Sequence, residues 1–243
     1  MNDRPMTSSH FFYGTIILLF FLGACKDTPP SSSTIQKEEV VKKDSIPLDS
    51  ILPKKEEVVE EFKLTEENAI DFFFDYNKTI TENKVKLTTS FGEFTIQLYN
   101  NVPYHRANFI YLTKQGYFDN TYFHRVVKNF IIQGGNADNK ETSMKRRKIG
   151  RYLLPPDTRK GHKHHRGTIS MPSSENDNPH KLASPYEFFI VVTKPGSYHL
   201  DGDYTPFGRV ISGMDVVDKI NAQPVGRGDW PSQNIYIFKA EAF

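Results

Sequence analysis

A mainly β fold, a closed barrel with a helix over each end, is what this sequence predicts. Three observations carry that reading. From Val85 onward the apolar residues alternate with period two, the signature of half-buried strands. Two stretches, 103–116 and 213–223, break the alternation with apolar residues at helical spacing. Short strands lie before, between and after them, and the last closes the chain at 234–243.

The first element of the 243-residue chain reads as a leader. Residues 11–22, "FFYGTIILLFFL", are apolar and too short for a comfortable membrane span. Small residues and the single cysteine, Cys25, follow at once. That order resembles a bacterial lipoprotein signal peptide, which implies cleavage after Ala24 and diacylglycerol on the Cys25 thiol. The expected location is therefore the bacterial cell envelope, lipid-anchored, on the periplasmic or outer-membrane side. The alternative is an uncleaved anchor with an incidental cysteine. One cysteine excludes an intramolecular disulfide or a cysteine-rich metal site.

Residues 26–62 are rich in Pro, Ser and interleaved charge and read as a tether. Only 37% of the chain is hydrophobic, although 13% is aromatic, as expected of a well-packed domain diluted by such sequence. A net charge of +2 gives no global pointer to nucleic acid. Residues 64–80 read as a helix capped by Thr65, with Glu66 and Glu67 in its first turn. Its stripe of Ala69, Phe72, Phe73, Tyr76 and Ile80 should dock on the domain that follows. This helical extension, 63–83, precedes the main domain, 84–243.

"VKLTTSFGEFTIQLY", 85–99, reads as a β-hairpin. Pro103 near its start and Gly116 past its end bound the first helix. Residues 136–166 read as a basic, polar loop. "GTISM", "EFFIVV" and "PFGRVI" are short strands, and 213–223 is a helix with Val216, Val217 and Ile220 apolar.

The segment "FHRVVKNFIIQGG", 123–135, places a permanent charge inside a buried pattern. Strict alternation puts Phe123, Arg125 and Val127 on one face and His124 and Val126 on the other. A guanidinium is rarely buried without a partner, so Arg125 belongs at a cleft facing a hydrogen-bond acceptor, or in an ion pair. His124 is expected to be a hydrogen-bonded core residue. Gly134-Gly135 permits a tight turn or a close backbone approach. His162, His164 and His165 read as an exposed loop more readily than as a metal site, and Asp201 as a loop-turning residue. The runs 145–151 and 159–166 form a basic patch, read as a solvated loop or as a contact for acidic lipid or polypeptide.

This segment resembles the central motif of cyclophilin-type peptidyl-prolyl isomerases. "VPYHRANFIYLTKQGYFDNTYFHR", "GTISM" followed by "SPYEFFIV", and "HLDGDYTPFGRVISGMDVVDKI" extend the resemblance, in family order, over about 84–243. It implies an eight-stranded antiparallel barrel capped by two helices, and a monomer needing no cofactor. By position it implies Arg125 and Gln133 as catalytic residues. It places Phe130, Ile131, Phe189 and Leu200 in the pocket for the proline ring, with Tyr204 at its rim. Ser173, Glu187 and His199 fall at other substrate-binding positions but depart from the familiar residues. Pro172-Ser173 replaces Ala-Asn or Ala-Arg, Glu187 replaces a common Gln, and His199 replaces the Trp of cyclosporin-sensitive members. Residues 174–184 look like an insertion beside the site. Strict alternation sets Phe130 opposite Ile131, so a bend at Asn129-Phe130 is needed for both to line one pocket. The implied activity is isomerisation of Xaa-Pro bonds in extracytoplasmic polypeptides, assisting their folding. The alternative is a proline-peptide-binding chaperone or scaffold on the same barrel with little turnover.

Overall fold

Alternation from Val85 onward is realised as eight strands in a computed structural model describing residues 62–243, apart from 176 and 178. The leader, Cys25 and the tether through residue 61 lie outside the described residues. The strands are β1 (Lys84–Thr89), β2 (Gly92–Leu98), β3 (Thr121–Val127), β4 (Ile131–Asn136), β5 (Thr168–Ser170), β6 (Phe188–Val191), β7 (Pro206–Ser212) and β8 (Tyr236–Ala242). They close into an antiparallel barrel in the order β1-β2-β7-β5-β6-β4-β3-β8. Val126, Ile132, Ile190 and Ile169 pair across four neighbouring strands and lie in the main core with Val85, Leu87, Ile96 and Phe207.

Among the described residues there are four α-helices: α1 (Ala69–Thr79), α2 (Pro103–Lys114), α3 (Lys140–Ile149) and α4 (Met214–Asn221). Pro103 opens α2, which packs on β7 and β8. Helix α4 packs on β2, β3 and β4, burying Val216, Val217 and Ile220.

Helix α1 begins three residues later than its acidic first turn suggested. Thr65 does not cap it; the Thr65 N–H instead donates to Asn68 Oδ1 at 2.8 Å, fixing a turn before the helix. The apolar stripe docks as expected, with Phe72, Phe73 and Tyr76 ringed around Tyr111 of α2. Arg106 of α2 secures the join by donating to Asn77 Oδ1 and to the Glu82 carbonyl, both at 2.8 Å.

Helix α3 corrects the reading of 136–166 as loop throughout. It buries only Thr142 and Ile149, so no apolar stripe announced it. Its start is set by Asn139, whose Oδ1 accepts the Thr142 N–H at 2.7 Å. Its end is clamped by Leu64, which donates to the Ile149 carbonyl and accepts from the Arg151 N–H.

His105 on α2 is fully buried against the barrel, and neither ring nitrogen has a hydrogen-bond partner among the described residues. Burial lowers its pKa from 6.5 to about 3, so the ring is neutral in the fold. The unfolded chain takes up this proton below its ordinary pKa while the native state does not. Stability therefore falls as pH drops below 6.5 and levels off near 3. Between pH 7.5 and 5.0, the wild type should lose about 2 kcal/mol more than His105→Gln, read from urea unfolding at the two pH values. Equal losses in the two proteins would contradict this.

Candidate active site

A β-bulge aims the central arginine. Phe123 pairs with Gly134 and Arg125 with Gln133, so His124 is the extra residue between two consecutive positions of β4. The bulge corrects strict alternation. Phe123 turns into the core, and Arg125 turns to the opposite, outer face with Val127. Arg125, Gln133, Phe189 and Ser170 then lie side by side across β3, β4, β6 and β5. Val127, Ile131 and Val191 form the next row on that face.

That outer face carries a second apolar cluster, separate from the barrel core. Ile131, Phe189 and Val191 are its buried floor, and Val127, Phe130, Leu200 and Tyr204 pack around them. Phe130 reaches it from the β3–β4 turn, where Asn129 has φ +59°. This turn is the bend required for Phe130 and Ile131 to join one cluster. Asn221 of α4 holds it, accepting the Asn129 N–H at 2.8 Å and donating to the carbonyls of Val127 and Ile131. The loop after β6 supplies the other wall. His199 stacks on Phe130 with ring centres 5.4 Å apart, and Tyr204 meets Phe189 edge-on at 5.6 Å. Val127, Val191 and Asn221 were missed in the sequence, where they look like ordinary strand and helix residues.

The Arg125 side chain is 40% exposed beside this cluster, and its Nη2 lies 3.4 Å from Asp229 Oδ2. The ion pair weighed for this arginine is therefore present, and the guanidinium remains half exposed beside the apolar cluster. The pair is long and half-solvated, a class worth about 0–1 kcal/mol, so it leaves the guanidinium free to reorient. Asp229 sits in the 3₁₀ turn Arg227–Asp229, far along the chain and without a sequence signal of its own.

Glu187 is only partly accessible, with its oxygens turned into side chains from three elements. Gln133 Nε2 donates to Oε2 at 2.9 Å and Asn136 Nδ2 to Oε1 at 3.1 Å. His124 Nε2 lies 3.4 Å from Oε2, and Arg146 Nη2 of α3 lies 3.8 Å from Oε1. Burial raises the carboxyl pKa, but His124, Gln133 and Arg146 outweigh it and hold the group below the ordinary range. His124 thus faces this carboxylate and not the barrel core. Ser173 stands apart from the apolar cluster: its Oγ accepts the Glu175 N–H at 3.0 Å, and its backbone bridges Ala183 at the base of the 174–184 insertion.

The three clustered histidines separate. His162 stacks on Tyr99, His165 Nδ1 meets the Tyr198 hydroxyl at 2.9 Å, and His164 is buried. The exposed-loop reading is therefore wrong for His164. Its Nδ1 lies 2.8 Å from Asp201 Oδ1 and its Nε2 2.9 Å from Ser170 Oγ. With Nδ1–H donating to the carboxylate, Nε2 accepts the serine hydroxyl. The imidazole lies beneath Phe189, its ring centre 6.2 Å away and nearly parallel. Among the described residues no group of three or more His, Cys, Asp or Glu is arranged to hold a metal.

Residues 84–242 match the family model described as cyclophilin type peptidyl-prolyl cis-trans isomerase/CLD. Peptidyl-prolyl cis-trans isomerase cypE of Dictyostelium discoideum is 39% identical over 169 residues, spanning 67% of this chain and 99% of that protein. Peptidyl-prolyl cis-trans isomerase-like 2 of Rhizopus delemar is 33% identical over 172 residues, 70% of this chain but only 31% of that longer protein. A Cryptosporidium parvum cyclophilin type isomerase, crystallised in the presence of the dipeptide Ala-Pro, superposes with a TM-score of 0.55 at 27% identity, covering 66% of this chain and 98% of that one.

Proposed function

Since this chain belongs to the cyclophilin-type peptidyl-prolyl cis-trans isomerase family, we propose that Arg125 is its catalytic donor and the outer apolar cluster its proline pocket. The observation that carries this reading is the juxtaposition on one barrel face of a half-exposed guanidinium and an apolar cluster outside the core.

The reaction has a barrier of about 18–20 kcal/mol, set by amide resonance, although cis and trans differ by only about 0.5–1 kcal/mol. No covalent bond has to break. The catalyst must bind the twisted amide, whose nitrogen carries a lone pair, better than either planar form. Phe130, Ile131, Phe189, Leu200 and Tyr204 grip the proline ring. Burying its methylenes contributes about 2 kcal/mol and holds one side of the bond still. Arg125 donates to the peptide beside the prolyl nitrogen, and an oriented charge in a half-dry cleft is preorganised for that state. Gln133 holds the peptide backbone, His199 extends the wall over Phe130, and Ser173 and Glu187 line the approach. Neither proton transfer nor a cofactor is required.

The substrates are proline-containing polypeptides outside the cytoplasm, whose folding the enzyme assists. The succession of apolar run, small residues and Cys25 supports a lipid anchor in the cell envelope, with 26–62 spacing a monomeric domain from the membrane. Cys25→Ser should move the protein from the membrane to the soluble fraction on cell fractionation. A variant that stays in the membrane would leave the anchor reading without support. The proline-binding reading with little turnover is kept alive by Asp229, which competes with substrate for the guanidinium. Refolding of a protein limited by a proline isomerisation separates the two: catalytic amounts accelerate it only if the protein turns over.

A further inference from the structure

The amide of Gln133 has one chemically permitted orientation in this protein. Its partner Glu187, when ionised, is an acceptor only, so the group facing it at 2.9 Å must be the Nε2 amide. A glutamine at 187 could receive either end of the Gln133 amide; a glutamate cannot. The carboxylate is itself immobilised. Asn136 donates to it from β4, His124 approaches it from the bulge, and Arg146 approaches it from α3. Arg146 is anchored in turn, with Nε donating to the Tyr117 hydroxyl at 2.8 Å and its guanidinium over the Tyr186 ring. Gln133 lies in the outer row between Arg125 and Phe189.

We infer that Glu187 is a positioning residue, fixing the Gln133 amide so that its carbonyl oxygen faces the cleft and accepts a backbone N–H of the bound peptide. This rests on the isomerase reading of the site and changes what Glu187 does there: it acts through Gln133 and not on substrate directly. The bond to the peptide backbone is present in the planar and the twisted states alike. Its loss therefore raises KM and leaves kcat nearly unchanged.

The test is a double-mutant cycle on the purified whole chain in mild detergent, with an Ala-Pro peptide as substrate. Loss of one neutral hydrogen bond is on the order of three- to ten-fold. Gln133→Ala should raise KM about five-fold and Glu187→Gln about three-fold, each with kcat within two-fold. In the Gln133→Ala background, Glu187→Gln should add nothing. Multiplying effects, or a fall in kcat alone, would overturn the inference. A second readout needs no activity and no variant. The Gln133 side-chain NH₂ of the wild type should give one sharp, deshielded, slowly exchanging NMR pair, whereas an amide resembling a solvated one would overturn the fixed orientation. A wild type that shows the fixed amide but does not accelerate prolyl exchange would sink the isomerase reading and leave the orientation standing.

Discussion

Arg125→Ala is expected to lower kcat/KM for Ala-Pro isomerisation by about 10²–10³-fold, the effect of removing one preorganised donor from a transition state, about 2.7–4 kcal/mol. The fold should not register the loss. The Arg125 side chain is 40% exposed and its one ion pair among the described residues, to Asp229, is 3.4 Å long, so thermal unfolding should shift by no more than a surface pair allows. Peptide binding should persist, since the apolar floor of Ile131, Phe189 and Val191 makes no use of the guanidinium. Arg125→Lys should recover little, because a compact ammonium on a flexible stem does not reproduce a planar fork of donors. Kinetics together with a binding titration check this. Unchanged turnover in Arg125→Ala would remove the arginine from the mechanism.

Gly135→Ala should cost about 3 kcal/mol of stability or more. Gly135 has φ +97°, a conformation that L side chains rarely adopt. A Cβ added there would lie 2.6 Å from the Tyr186 carbonyl oxygen and 3.1 Å from Phe118 Cε1. The nearest obstacle is backbone at the entrance to β6, which cannot swing aside as a side-chain end can. Relief requires β4 and β6 to part, and the Gln133–Phe189 pair hangs on that junction. Urea unfolding should show the loss, accompanied by a fall in activity. A wild-type midpoint for Gly135→Ala would mean that the two strands yield more easily than their close approach implies.

The β1–β2 hairpin and α4 were legible because each spends its apolar residues on one face with a clean period, whereas α2, β5 and β6 are buried on both faces and were legible from their bounding turn residues and apolar runs. The bulge at His124 was not, since no Gly or Pro marks it and its effect is a change of face for every residue before Arg125. Helix α3 was illegible for the opposite reason: a helix that buries only Thr142 and Ile149 has no stripe to read. The pocket residues came from resemblance to a family, and the geometry gathers Phe130, Ile131, Phe189, Leu200 and Tyr204 into one cluster. Partners that depend on the closed barrel left no local pattern. Asn221 reaches the β3–β4 turn from α4, and Arg146 approaches Glu187 from α3. His164 shows the same limit. In the sequence it is one of three neighbouring histidines, whereas in the fold it is a buried link between Asp201 and Ser170 beneath Phe189 of the outer cluster.

The most direct test of the account is the cis-trans exchange rate of a short Ala-Pro peptide, measured by NMR with residues 26–243 and with the same protein carrying Arg125→Ala. Acceleration far above the uncatalysed rate is expected of the wild type, and its disappearance is expected in the variant. A folded wild-type protein that binds the peptide yet leaves its exchange rate unchanged would contradict it, and would make this barrel face a proline-binding surface whose arginine is held by Asp229.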